Sequence, residues 1–194
     1  KAVQAGLDPH LHATGDRAVR DSLNGIEYVR RQLPGNGFRP TITHAESVDP
    51  ADYGRFKALD VTANMSFQWA QQAPSTVDGT RDHLGAARFA RMEPSGSIAH
   101  AGGRVAFGSD WPVDPLDEFL ALKVGVTRSG DPTNPHSYGP KYAGRLNADP
   151  ALSRAEVLRS ITLSSAQQLK LEAVLGSVEV GKFADLIVLD KNFM

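Results

Sequence analysis

Four short β-branched or apolar runs, separated by stretches of helical character, constrain this chain more than any other feature. "LDPHLHA" (7–13), "TITHA" (41–45), "VTANMSFQ" (61–68) and "GRVAFGSDWP" (103–112) read as strands. Between the first two, Ala18, Leu23, Ile26, Val29 and Leu33 recur at helical spacing over 17–33. "LPGNGFRP" then breaks that helix with Pro and Gly. "DPADYGRFKALD" (49–60) opens on Asp-Pro, a good helix start because Pro is tolerated in the first turn. Residues 80–101 are helical, with a break near Pro94, Ser95 and Gly96. Strands that alternate with helices in this way are parallel, because the helix is the crossover that returns the chain to the same end of the sheet. The sequence therefore predicts an α/β fold.

Beyond the fourth strand the pattern changes. Residues 114–128 read as an amphipathic helix, and 129–150, rich in Gly, Pro, Asn and Asp, as a long loop. A helix restarts over 153–169, with Ser153 as N-cap and Glu156 three residues on, a capping box. The tail "GSVEVGKFADLIVLD" (176–190) predicts two strands around a Gly181-Lys182 turn. The chain starts inside what reads as a helix end and stops just after a strand, so it reads as part of a longer protein.

Composition narrows the function classes. Lys+Arg 21 against Asp+Glu 22 gives a net charge of -1, with no basic stripe for nucleic acid. No apolar run approaches the roughly 20 residues of a membrane-spanning helix. A cytoplasmic location is the expectation. With no cysteine, His, Asp and Glu are the strong metal donors at hand.

Three of the strands end in a polar group that packing does not require: His12, His44 and Asp110. In a barrel of parallel strands the C-terminal strand ends converge on one face, where active sites sit. Two imidazoles and a carboxylate converging there make a first shell for a divalent metal, zinc being the expected ion. Such a metal lowers the pKa of a bound water to roughly 7. Asp110 would touch the metal, take the proton of the attacking water and return it to the leaving nitrogen. The plain alternative is that each is a hydrogen-bonded structural residue at a strand end, and that "GSDWP" is a capped turn. His10 lies on the same side of its strand as His12, since strand side chains alternate, and is assigned a structural role.

The segments "HATGDRAV" (12–19), "ITHAE" (42–46), "RVAFGSDWPV" (104–113) and "GSVEVGKFADLIVLD" (176–190) together resemble the amidohydrolase superfamily. The resemblance is to the branch that includes N-substituted formamide deformylase and many uncharacterised metal-dependent hydrolases. It covers nearly the whole chain and implies the second half of a (β/α)8 TIM-like barrel, plus C-terminal strands of a small β-sandwich domain. Residues 1–172 would hold barrel strands five to eight, and 173–194 the start of the sandwich. His12 and His44 match the family's metal histidines, and Asp110 its catalytic aspartate. Asp16 and Arg17 fall in the loop after the first histidine, where they would order that loop or hold a ligand. Gln68 and Trp69, after the third strand, and Trp111, after Asp110, fall where a substrate pocket would be. The family's His-x-His pair and fourth-strand bridging group have no match in this sequence, Lys1 being too close to the first strand to serve.

These observations imply a hydrolase that cleaves a C–N bond, amide or cyclic amide, of a small molecule by metal-activated water. It would be an enzyme when joined to the rest of its own chain, which completes the barrel, and assembly into a homo-oligomer is compatible with it. A non-catalytic scaffold fragment lacking a complete metal site is the alternative. A phosphoesterase on a similar barrel fits less well, because more carboxylates and phosphate-binding Gly or Lys groups would be expected.

Overall fold

The computed structural model describes residues 1–194. Its centre is a four-stranded parallel sheet in the order β1 (His10–Ala13), β2 (Thr41–His44), β3 (Thr62–Met65), β4 (Arg104–Phe107). The strands are shorter than the runs that announce them. Pro9 lacks a backbone donor, so β1 begins after it, although its carbonyl still accepts from Thr41 N at 2.9 Å. At the other ends, a 3₁₀ turn (Phe67–Trp69) follows β3, and an irregular loop of Gly108, Ser109 and Asp110 follows β4.

Strand alternation divides the sheet into two unlike faces. Leu11, Ala13, Ile42, Ala63, Met65 and Val105 belong to one hydrophobic core, closed by residues from the helices. The long helix α1 (Asp16–Gln32) buries Val19, Leu23 and Ile26 there. The short α2 (Tyr53–Ala58) adds Phe56. The opposite face carries His10, His12, Thr41, Thr43, Thr62 and Asn64, which are polar. Register sets His12 beside Thr43, Thr43 beside Asn64, and Asn64 beside Ala106.

The helical region before β4 is more broken than its sequence predicts. It forms α3 (Arg81–Leu84), α4 (Ala86–Phe89) and α5 (Ser95–His100). Gly85 and Pro94 interrupt it, the first with φ of 75°, the second lacking a backbone donor. After β4 come α6 (Glu118–Thr127), the long loop, α7 (Arg154–Arg159) and α8 (Ser165–Gln168). The capping box at α7 is formed: Glu156 N donates to Ser153 Oγ at 3.2 Å, and Ser153 N to Glu156 Oε2 at 2.7 Å. Ser165 covers the open edge of β4, its Oγ bonding to both N (3.3 Å) and O (3.2 Å) of Phe107.

The tail corrects the sequence expectation. Its turn is present, with Gly181 at φ 92° and Lys182 N donating to Glu179 O at 3.2 Å, but no strand flanks it. A strand exists only as part of a ladder, and no neighbour offers this segment an edge. Val180, Ile187 and Val188 are exposed instead. No helix is long and apolar enough to cross a membrane.

The long loop is fastened to α5 by close packing. A Cβ placed on Gly96 would lie 1.9 Å from Pro150 O, a backbone atom with no flexible end to swing away. We expect Gly96→Ala to lower the unfolding free energy by about 1–3 kcal/mol in urea titration. An unchanged midpoint would mean the loop is not held there.

Candidate active site

Because the sheet is parallel, the four C-terminal strand ends gather at one edge. His12 is the penultimate residue of β1 and His44 the last of β2. Their rings meet edge to face, with centroids 4.5 Å apart and planes at 73°. Trp69 stacks on the other side of His44, with centroids at 5.0 Å and planes at 12°. The indole N–H donates to Asp114, which fixes the ring that fixes His44. His44 is buried, and its Nδ1 has no hydrogen-bond partner. Burial holds its pKa below the usual histidine range, against the pull of Asp110, so the ring is kept neutral, the form that ligates metals.

Gln68 and Ser66 hold the loop that carries Asp110. Ser66 Oγ donates to Gly108 O at 2.7 Å, and Gln68 Nε2 to Ser109 O at 2.7 Å. Gly108 is close to Asn64: a Cβ there would stand 2.7 Å from Asn64 Oδ1. Asp110 itself has φ of 57°, in the left-handed region, as does His44 at 74°. Such residues cost about 1–3 kcal/mol each and cluster at functional sites.

The other sequence candidates fall elsewhere. Asp16, in the first turn of α1, pairs with Arg88 of α4 at 3.0 Å, and so ties two elements together. Arg17 is 84% exposed and pairs with Asp21 one turn on, at 2.8 Å. Trp111 is 64% exposed and does not line the cavity described below. His10 hydrogen-bonds Thr43 on the neighbouring strand, in keeping with a structural role.

A cavity of about 330 Å³ opens beside Trp69, lined among others by Glu46, Gln68, Thr76, Met92 and Glu93. Glu93 is 2% exposed, and burial, reinforced by the Glu46 carboxylate, pushes its carboxyl well above the usual range. Its backbone N donates to Glu46 O at 2.7 Å. Behind it, the buried Arg128 donates to Glu93 O, Met92 O and Asn147 Oδ1, each at 2.8 Å. Glu93, Asp114 and Arg128 gave no signal of spacing or period in the sequence. Glu46 stood inside "ITHAE" but had no motif of its own to mark it.

A divalent metal fits the two histidines in one respect, since an unpartnered buried imidazole nitrogen on a neutral ring is what a ligand presents. The shell expected of His12, His44 and Asp110 is not closed, however. No three His, Asp or Glu side chains are gathered closely enough to hold an ion. Asp110 reaches His44 through its charge, from a loop that stands off the sheet.

The amidohydrolase family model matches residues 1–194, and the chain belongs to that family. N-substituted formamide deformylase from Arthrobacter pascens is 26% identical over 202 residues, covering 99% of this chain and 33% of that protein. Protein LONG AFTER FAR-RED 3 from Arabidopsis thaliana is 27% identical over 192 residues, covering 98% and 31%. The chain thus spans about a third of the length of these curated relatives. In fold it is similar to an uncharacterised metal-dependent hydrolase from Pyrococcus furiosus. That likeness has a TM-score of 0.70 and 24% identity, and covers 99% of this chain and 35% of that one.

Glu93 makes stability depend on pH. Its pKa is raised on folding, so the stabilisation is complete below the unfolded-state pKa and is lost as pH climbs toward the folded value. The slope is at most about 1.4 kcal/mol per pH unit. Glu93→Gln removes the titrating proton. Between about pH 5 and pH 8 the melting temperature of the variant should rise relative to the parent, and parallel Tm–pH curves would contradict this.

Proposed function

We propose that this chain supplies two metal-binding histidines, the acid–base carboxylate and part of the substrate pocket of a metal-dependent hydrolase. Its substrate would be a small molecule with an amide or cyclic amide C–N bond. The observation that carries the reading is the pair His12 and His44, set edge to face with a buried, unpartnered Nδ1 on His44. Membership of the amidohydrolase family supports it. The name of the deformylase relative supports the choice of bond.

In this reading the four strands are the fifth to eighth of a (β/α)8 barrel, residues 1–172. Residues 173–194, which form no strand here, would begin a small β-sandwich by pairing with the rest of the chain. The all-parallel pairing supports the barrel, because such a sheet is ordinarily covered on both faces. The remaining ligands then come from the barrel's earlier strands. When bound, a divalent ion, zinc on this nitrogen and oxygen donor set, acts as Lewis acid and activates water.

The chain's own residues do the rest. His12 and His44 hold the ion, and the Trp69 stack fixes the plane of His44. Asp110 takes a proton from water and delivers it to the departing nitrogen. The contacts from Ser66 and Gln68 hold Gly108 and Ser109, and with them the loop that carries Asp110. The unclosed ligand set favours a second reading for the isolated chain, a non-catalytic piece without a complete site.

Asp110→Asn in the full-length protein should lower kcat by about 100-fold or more, with metal content by elemental analysis unchanged. His44→Ala should lose metal and activity together. Wild-type turnover in Asp110→Asn would overturn the role given to that residue. Absence of stoichiometric metal from the active protein would overturn the metal site.

A further inference from the structure

The cavity beside Trp69 has a chemistry of its own. Its lining includes the carboxyl groups of Glu46, Glu93 and Asp114, and no Lys, Arg or His. Trp69 and Tyr138 give it two aromatic walls. Two buried acceptor atoms on that lining, Gln68 Oε1 and Glu93 Oε1, have no hydrogen-bond partner. Their residues are 8% and 2% exposed, so water does not freely satisfy them.

The orientation of Gln68 follows from its neighbours. Its other amide atom faces Ser109 O at 2.7 Å and Asp114 Oδ2 at 3.5 Å, both acceptors. The NH₂ must therefore lie on that side, which leaves the amide oxygen as the free end. Asp114 is occupied, since it accepts from Trp69 and Gln68 and is approached by the Tyr138 hydroxyl. It shapes the pocket and leaves reception to the other two. Arg128 stands behind Glu93, but its terminal nitrogens bond to the carbonyls of Met92 and Glu93 and to Asn147, with Asp149 at 3.7 Å, and its Nε has no hydrogen-bond partner. The Glu93 carboxyl itself stays unpaired.

We propose that this cavity selects substrates bearing a cationic nitrogen group, ammonium or guanidinium, whose N–H donors are received by Gln68 Oε1 and Glu93 Oε1 between the Trp69 and Tyr138 rings. The proposal rests on the hydrolase reading and names the class of its substrate: amides that carry a positive charge beside the C–N bond. Two unpartnered acceptors on one lining ask for a ligand with several donors. An aromatic wall attracts a cation through the ring quadrupole. An acidic pocket without basic residues repels anions and leaves neutral ligands without a charge to match. Burial disfavours a charged Glu93 in the empty cavity; when a cation enters, the carboxyl releases its proton to solvent, so the charge is buried only when its partner is present.

Calorimetry on the metal-loaded full-length protein tests this with butylguanidinium and its neutral counterpart butylurea. Guanidinium has no free lone pair for the metal, so binding reports the pocket. Butylguanidinium should bind about tenfold tighter than butylurea, and Glu93→Gln should bring the ratio close to one. Gln68→Leu, chosen because it leaves Glu93 untouched, should weaken butylguanidinium several-fold. Equal affinities in the parent protein, a ratio unaltered by Glu93→Gln, or no binding of butylguanidinium would each overturn the proposal. The readout does not depend on turnover. A protein that prefers the cation but hydrolyses nothing keeps the pocket and loses the hydrolase. One that hydrolyses neutral amides without that preference does the reverse.

Discussion

Parallel pairing is the constraint on which the rest depends. Strands that run the same way need a crossover between each pair, and the crossover helices α1, α2 and α5 cover one face of the sheet. The same rule sends every C-terminal strand end to one edge, where His12, His44 and the loops after β3 and β4 come together. The opposite edge is tied off separately: Asp8 accepts from Arg39 N at 2.8 Å, Lys170 pairs with Asp8 at 2.6 Å, and Arg39 with Glu172 at 2.7 Å.

Backbone strain gathers at the same place. His44, Ala45, Glu93, Asp110 and Arg128 all have positive φ, and elsewhere among non-glycine residues only Asp60 and Lys170 do. Left-handed backbone at residues with a side chain persists only where surroundings over-determine it. Arg128 is one such surrounding. Its buried guanidinium bonds to carbonyls on both sides of the Met92-Glu93 peptide and to Asn147, so three separate segments meet on one group. Breaking that knot would free the peptide that aims Glu93 at the cavity.

Much of this was legible in the sequence, and for a physical reason. The four strands and α1 are written in local periodicity, and a buried parallel strand shows its apolar run whatever follows. His12, His44 and Asp110 stood out because they end such runs. Asp16 and Arg17 also stood near a histidine; which partners they take, Arg88 and Asp21, is decided by how α1 and α4 pack. The tail read as two strands from its β-branched content, yet strand formation depends on a partner that local sequence cannot name. Glu93 was illegible for the opposite reason. Its meaning comes from Glu46 and Arg128, which lie 47 and 35 residues away in sequence and meet it only in the fold.

Trp69 joins the two parts of the site. One face of its indole is stacked on His44, its N–H is held by Asp114, and it also forms a wall of the acidic cavity. A ring so held cannot adjust to a ligand without disturbing the imidazole beneath it. The His44 ring and the cavity wall are therefore set against one rigid element, the 3₁₀ turn after β3, and that turn also holds the Asp110 loop through Gln68. The residues with the most exacting geometry lie on this short turn, although its backbone is neither strand nor long helix. Preorganisation here comes from the density of cross-links to Asp114, Ser109 and His44, which do for a few residues what a regular element does over many.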